Sequence, residues 1–432
     1  MSTEEKLNNQ KGVKLMSKNN IFIKIAIIIV LFVSFSSVIM VSYAFWDGLT
    51  DDQAETVPVG DWGIPITTAQ EFYNFASKID SMASDRYYVF NDIDFTGFIW
   101  EYTDTSTVTT FRGTLDGNGK TLSNLTIYTN SSTYQYIGIF PQMEGGSVYN
   151  LTLSNFDISL GSTALAGSAL MAGLITGNAY GLTNIISNIT ITNGGVRGTS
   201  DLGTGGLVGS VSNSTTIIDI DNIKATNLRI FSINTYSGGL VGNIGSSGAQ
   251  VNISDIDIEG EVFSSARLSY TGGIVGGIIG GGILSIDRAI VEMTSQNTLE
   301  TSISYLEYSQ KYLGGFIGYN QSTSTDVIIA DAFFTGSLIS DAKQNSAYVG
   351  TAIGRDGGSE TLNRTFYSMV EFRTKKGLID YIPNNPTGVM TTLVNQSTMP
   401  IVSWWNNFAI EFDNANDLWV QDISTGRLYL IR

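Results

Sequence analysis

The pentapeptide GGLVG occurs identically at Gly205–Gly209 and Gly238–Gly242, and variants of it punctuate most of the 432-residue chain. It reads MAGLITG at Met171–Gly177, GGIVG at Gly272–Gly276 and GGFIG at Gly314–Gly318, with looser forms from Ile137 and Val349. Taking the glycine ahead of the apolar pair as the marker gives Gly138, Gly173, Gly206, Gly239, Gly273, Gly315 and Gly350, at steps of 35, 33, 33, 34, 42 and 35 residues. Composition alone does not space glycines so evenly, even with 47 of them. A fixed period of this size is the mark of a solenoid.

Between successive glycine clusters lies a run that alternates apolar and polar residues. In VNISDIDIEG from Val251, Ile256 and Ile258 share one face and Asp255 and Asp257 the other. Period two means strand. An Asn or Asp follows each marker by 12 to 16 residues, at Asn150, Asn188, Asn222, Asn252, Asp287, Asp331 and Asn363. Such side chains tolerate left-handed backbone and hydrogen-bond to nearby main chain, so they are expected at corners. Each period thus supplies two or three short strands joined by tight corners, with an apolar face that finds no partner inside the unit. Stacking the units satisfies main chain and apolar face together. The expected fold is all-β, a right-handed parallel β-helix, with an N-terminal capping helix and an N-terminal signal or transmembrane helix.

The GGLVG signature followed by an Asn-centred strand resembles the GLUG-type repeat of bacterial secreted and surface proteins, many of them adhesin-like β-helices. The resemblance covers roughly residues 86 to 368. It implies a surface or secreted setting and an adhesin-like function.

The chain has no Cys and no His, and a formal net charge of −16. Without cysteine there are no disulfides, so stability rests on stacking and hydrogen bonds. An acidic body of this size repels nucleic acid and anionic membranes. Residues 1–20 read as a cytoplasmic n-region bearing Lys6, Lys11, Lys14 and Lys18, ahead of a signal peptide or membrane anchor at 21–44. The uncharged run Ile25–Trp46 is long enough to span a bilayer, and Ser42 and Ala44 offer a cleavage site before Phe45. Everything after it is expected outside the cell, either secreted or on the extracellular face of the membrane.

A linker is expected over 45–67. Thr68 with Glu71 forms a capping box, and Phe72, Phe75, Ala76 and Ile79 lie on one stripe, which predicts a capping helix over 68–85 that covers the first coil's open edge. The β-helix is expected over 86–370. A C-terminal cap follows over 371–432, holding Trp404, Trp405, Phe408, Phe412 and Trp419. The long step between Gly273 and Gly315 holds an insertion, roughly Ser295 to Tyr312, whose Tyr305, Tyr308 and Tyr312 have the spacing of one helical stripe.

Candidate chemistry is sparse. GNGKT at Gly117–Thr121 lacks the glycine spacing of a phosphate loop and runs into an alternating strand, so a tight Asp-Gly or Asn-Gly turn between strands is expected there. Asp92 with Asp94, Asp219 with Asp221, and Asp255 with Asp257 have the spacing to share a strand's outer face, as acidic clusters do in pectin-degrading β-helices. Alternating Asp and Ile is also what a solvated strand over an apolar core looks like. Carboxylate oxygens suit Ca²⁺ between coils, but no EF-hand-like spacing occurs. The lack of His and Cys removes the Ser-His-Asp and Cys-His arrangements and the usual zinc ligands. No signature of an arginine-base lyase surrounds Arg112, Arg197, Arg288, Arg355 or Arg364. The Asn-x-Ser/Thr matches at Asn124, Asn150, Asn188 and Asn252 are by-products of the repeat.

On these grounds no catalytic, cofactor-binding or metal-binding residue is assigned, no cofactor is expected, and the chain is expected not to be an enzyme. The expected function is an adhesin-like spacer and interaction surface for a cell-surface or extracellular polysaccharide or protein, with membrane contact through the N-terminal segment if it is uncleaved, and no nucleic acid. The alternatives are a carbohydrate-active β-helix enzyme, which needs acidic side chains from adjacent coils converging in a groove, and a structural subunit of a surface layer or filament, which needs an uncapped end.

Overall fold

The computed structural model describes residues 63–374, with breaks at 78–84, 103–108, 130–135, 161–170, 199–202, 234, 267, 298–310, 322–325 and 341–346, together with 377–378, 392–393, 419–421 and 428–430. The chain divides into Met1–Trp62 and Gly63–Arg432, and the described residues all belong to the second unit. The expected membrane segment, Ile79, Tyr305, Tyr308, Trp404, Trp405, Phe408 and Phe412 lie outside the described residues. Among the described residues, no helix is long and apolar enough to cross a membrane.

The unit is a parallel β-helix. Its coils contribute to three sheets, in which each strand pairs in parallel with its counterpart in the next coil. One coil consists of a short strand, Tyr236–Gly238, a tight glycine turn, a second short strand, Val241–Ile244, and a long bent strand, Gln250–Ser264. The register aligns equivalent residues from coil to coil, with local irregularities at some corners, as between Ala225 and Leu228. Val148, Ile186, Ile220, Ile253, Ile286 and Ile329 follow one another across five consecutive strand pairs, all essentially without solvent contact. Each such side chain contributes roughly 2 kcal/mol of burial, so a row stabilises every coil it crosses.

The glycine cluster lines up in a column, which accounts for the periodicity. Gly205, Gly238, Gly272, Gly314 and Gly350 pair in succession. The following glycine meets the next coil's backbone. A Cβ on Gly206 would stand 2.0 Å from the carbonyl oxygen of Gly239, and one on Gly239 would stand 1.9 Å from that of Gly273. No side chain fits so close a backbone approach. This geometry corrects one marker: Gly350 belongs to the first glycine column, and Thr351 takes the marker position, its carbonyl facing Gly315.

The long strands bend at residues with positive φ, as expected of corners. Asn118, Asn150, Asn188, Asn222, Asp255, Arg288 and Asp331 form one such column. Asn252, Asp287 and Asn363 do not belong to it. The flanking pairs Ser254↔Asp221 and Ile256↔Ile223 place Asp255 at the corner, and the corresponding pairs place Arg288 in the next coil and Arg364 in the last. Alignment of the apolar rows decides the corner, and the residue at the corner adapts. GNGKT is part of this system: Asn118 and Gly119 have φ of 53° and 66° inside the strand Thr114–Ser123, so the motif is a coil corner and not a turn between two strands.

A second corner column, Asn124, Asn155, Asn193 and Asn227, also has positive φ. Its side chains hydrogen-bond in sequence, Asn155 Nδ2 to Asn124 Oδ1 at 3.1 Å, Asn193 to Asn155 at 3.0 Å and Asn227 to Asn193 at 2.7 Å. Asp94 anchors the ladder by accepting from Asn124 Nδ2 at 2.9 Å. Bonds from Asn124 and Thr96 hold its carboxyl below the usual range.

The helix Ala69–Ser77 seals the first coils. Thr68 Oγ1 accepts from Glu71 N at 3.2 Å, and Glu71 accepts from Thr67 N at 2.8 Å and Thr67 Oγ1 at 2.6 Å. The reciprocal arm of the cap thus reaches Thr67, one residue before the expected partner. Phe72, fully buried, meets Phe95 and Trp100 edge-on, and Phe75 meets Tyr87, Phe111 and Phe140. Late in the chain, Trp419–Gln421 pairs antiparallel with Leu428–Leu430.

Candidate functional site

After Asn222 the stack changes its side chains while keeping its backbone, and its chemically distinctive features lie there. At the first corner, Arg288 stands between carboxylates. Its Nε and Nη2 donate to the two oxygens of buried Asp255, each at 2.8 Å, and its Nη1 donates to Asp287. The hydrogen bond to Asp255 holds the guanidinium above its ordinary pKa against the cost of burial. Arg288 is thereby committed to the fold.

A tyrosine column begins on the short strands of the coil that carries Asp255. Tyr236, Tyr270, Tyr312 and Tyr348 are in register, their rings stacked with centroids 4.7, 4.9 and 4.8 Å apart. Tyr236, Tyr270 and Tyr312 form a buried cluster separate from the aliphatic interior, with half-buried Tyr319 and Tyr348 packed against it. Tyr319 also stacks on Tyr270 at 4.6 Å, and Gly277 leaves the room that Tyr236 occupies: a Cβ there would lie 2.5 Å from the ring. Arg355, in register with Tyr319, enters the same cluster. Its guanidinium carbon lies 5.6, 5.7 and 5.5 Å from the rings of Tyr312, Tyr319 and Tyr348, and its Nη1 donates to Tyr312 Oη at 3.0 Å. Burial pushes Tyr270 up to about 12, and it also raises Tyr312 against the opposing bond from Arg355. Tyr270 and Tyr312 therefore keep their protons at physiological pH.

An open groove of about 480 Å³ lies where the second asparagine ladder stops. Asn227, Arg229, Glu259, Glu261, Glu292 and Gly336 line it. Glu259 and Glu292 are directly paired across adjacent coils, and strands in such a sheet lie about 4.8 Å apart. Paired carboxylates on either side of a bond are the groups that glycoside hydrolysis employs. Glu261 pairs with Arg229 at 3.5 Å on the exposed side. Among the described residues, no group of three or more acidic side chains is arranged to hold a metal ion.

The paired aspartates singled out in the sequence have other tasks. Asp255 and Asp257 are both buried, so they do not share an outer face; the corner turns Asp255 onto Arg288. Asp219 accepts from Asn252 Nδ2 at 2.8 Å and Asp221 from Ser254 Oγ at 2.7 Å, each across one coil. Asp92 accepts from Thr121 N at 2.8 Å. Of the arginines, Arg112 pairs with Glu144 at 2.6 Å and Arg197 lies 5.0 Å from the Phe231 ring, which stacks on Phe263. Tyr312 is not part of a helix: Ser295 to Asn297 ends one strand and Lys311–Gly314 forms another, with 298–310 outside the described residues. Neither the tyrosine column nor the Glu259–Glu292 pair was identified from sequence. The signal for the column was present, since Tyr236, Tyr270, Tyr312 and Tyr348 stand two or three residues before a marker or its first glycine.

No protein-family model matches the chain, and no curated protein matches it. A solved structure with the same fold is that of a putative immunoglobulin A1 protease from Bacteroides ovatus, at 16% identity and a TM-score of 0.51, covering 85% of this chain and 91% of that one. A likeness at this identity bears on the fold. The expectation that the chain is not an enzyme is withdrawn, because the structure it resembles carries the name of a protease and because carboxylates from adjacent coils do converge in a groove.

Proposed function

We propose that the chain is a secreted or surface β-helix protein that holds an extracellular polymer against its outer aromatic face, an adhesin-like role in which GLUG-type repeats supply the scaffold. The observation that carries this reading is the cluster of Tyr319, Tyr348 and Arg355 on the outside of the stack. Aromatic rings with polar handles and a guanidinium are the groups enriched in binding surfaces, and a stack of coils keeps them at fixed spacing. The charged n-region and the apolar run behind it support placement outside the cell. The test is retention of the full chain on immobilised glycans and cell-wall polymers. Retention that falls at least about tenfold in Tyr319→Ala and Tyr348→Ala supports the reading, and unchanged retention overturns it.

A second reading rests on the groove. Glu259 and Glu292 face one another across adjacent coils, a placement suited to hydrolysis of a glycosidic bond by paired carboxylates. The name of the structural neighbour adds peptide cleavage, of immunoglobulin A1 in particular, to the activities worth assaying. New reducing ends or new peptide fragments that disappear in both Glu259→Gln and Glu292→Gln support this reading over the first.

A further inference from the structure

Arg355 differs from the other well-placed arginines of the stack in its surroundings. Arg112, Arg229 and Arg288 each pair with a carboxylate. Arg355 has rings on its flanks and a phenol oxygen on one donor, and among the described residues no ion pair includes it. The nearest acids in sequence are turned away. Side chains alternate along the strand Ile353–Asp356, so Asp356 projects opposite to Arg355 and accepts from buried Asn320 Nδ2 at 2.6 Å. Glu360 is hydrogen-bonded to Asp356. A half-buried guanidinium with unused donors has lost part of its hydration without gaining a counter-ion, and a carboxylate or phosphate matches its fork in two parallel bonds.

Beside it, Tyr348 ends the column. One face of its ring lies on Tyr312 at 4.8 Å, and among the described residues no ring covers the other. A sugar ring presents one flat C–H face with a polar rim, and so satisfies an aromatic face and a nearby donor together. An Asp or Glu side chain offers the charge without the flat face. The net charge of −16 disfavours a densely charged polyanion, which leaves a glycan with spaced carboxylates as the fitting partner.

We propose that Arg355 and Tyr348 form a subsite for the carboxylate-bearing sugar unit of an acidic polysaccharide, Arg355 gripping the carboxylate at two points and Tyr348 lying under the sugar ring. This rests on the polymer-binding reading above and names the ligand class. The test uses the full chain with oligosaccharides of alternating glucuronate and N-acetylglucosamine, the same oligosaccharides after reduction of each carboxyl to an alcohol, and polyglutamate. Binding of the acidic form about tenfold tighter than the reduced form is expected, with that preference lost in Arg355→Gln, only partly kept in Arg355→Lys, and both forms weakened in Tyr348→Ala. Should Arg355→Gln fail to fold, the Lys variant and competition by free glucuronate carry the test. Equal binding of acidic and reduced forms overturns the subsite and leaves polymer binding standing. Binding of neither sugar, with all other glycans also unbound, overturns both. Polyglutamate held as tightly as the glucuronate oligosaccharide overturns the sugar assignment.

Discussion

Between Ser147 and Ser232 the corners of the long strands are asparagines that bond to one another. Between Gln250 and Ser340 the same first corner carries Asp255, Arg288 and Asp331. The backbone hardly registers the exchange: φ is 57° at Asn150, 51° at Asn188, 52° at Asp255 and Arg288, and 50° at Asp331. A primary amide carries a donor and an acceptor, so one asparagine can receive from the coil above and give to the coil below, and the ladder repeats with a single residue type. A charged column has to alternate, because like charges stacked a coil apart repel. The two halves thus teach that the solenoid demands left-handed backbone at the corner and is satisfied by either chemistry, provided neighbouring coils complement one another.

Breaking what the halves share has the largest effect. Gly239→Val places side-chain atoms where the Gly273 carbonyl oxygen stands and forces two coils apart, so loss of cooperative urea unfolding, or a destabilisation above about 4 kcal/mol, is expected. An ordinary unfolding midpoint would show that the coils can separate cheaply and that the glycine column is incidental.

The charged half is expected to be the more fragile to a single truncation. Arg288→Ala leaves Asp255, which is 4% exposed, without its bidentate partner, and a cost of about 3 kcal/mol is expected from the shift in urea midpoint. Arg288→Asn, which restores an amide tolerant of positive φ, is expected to recover part of that loss. Asn193→Ala removes two neutral hydrogen bonds at an exposed corner, so about 1 kcal/mol is the expected cost. If Asn193→Ala costs as much as Arg288→Ala, the contrast between amide and ionic corners fails.

The smallest effect concerns the last coil. The hydrogen bond to Asp356 raises Glu360 to about 6, with burial adding to it. A carboxyl whose folded pKa lies above its unfolded one binds its proton more tightly when folded, so its contribution is present at low pH and is lost as pH rises through about 6. A slight fall in thermal midpoint between about pH 4.5 and pH 6 is therefore expected, and Glu360→Gln is expected to flatten it. A midpoint that rises over that interval in wild type and not in the variant would reverse the assignment.

Much of the architecture could be read directly. The glycine period located the stack, alternation identified the long strands, and the Thr68 cap with Phe72 and Phe75 identified the sealing helix. Corners are legible mostly where an Asn or Asp stands at them. Asn150, Asn188, Asn222 and Asp331 are read correctly, whereas Asn252 is taken in place of Asp255, and Asp287 in place of Arg288, because an arginine at positive φ has no propensity to announce it. The second ladder was missed although Asn155, Asn193 and Asn227 each follow a first-corner asparagine by five residues. The groove had no local signature. Glu259 and Glu292 lie a full period apart, and each reads alone as a solvated residue of a strand.

What the chain's order of residues determined by itself was the repeating unit, since glycine spacing and apolar alternation are properties of single units and survive any choice of neighbours. The tertiary structure alone decided which side chains of different units meet: Tyr236 with Tyr270 and Tyr312, Arg288 with Asp255, Glu259 with Glu292. Those meetings depend on register between strands some 33 to 42 residues apart, and register is set by the interlocking of the buried rows, an energy shared by the whole stack that no one segment encodes.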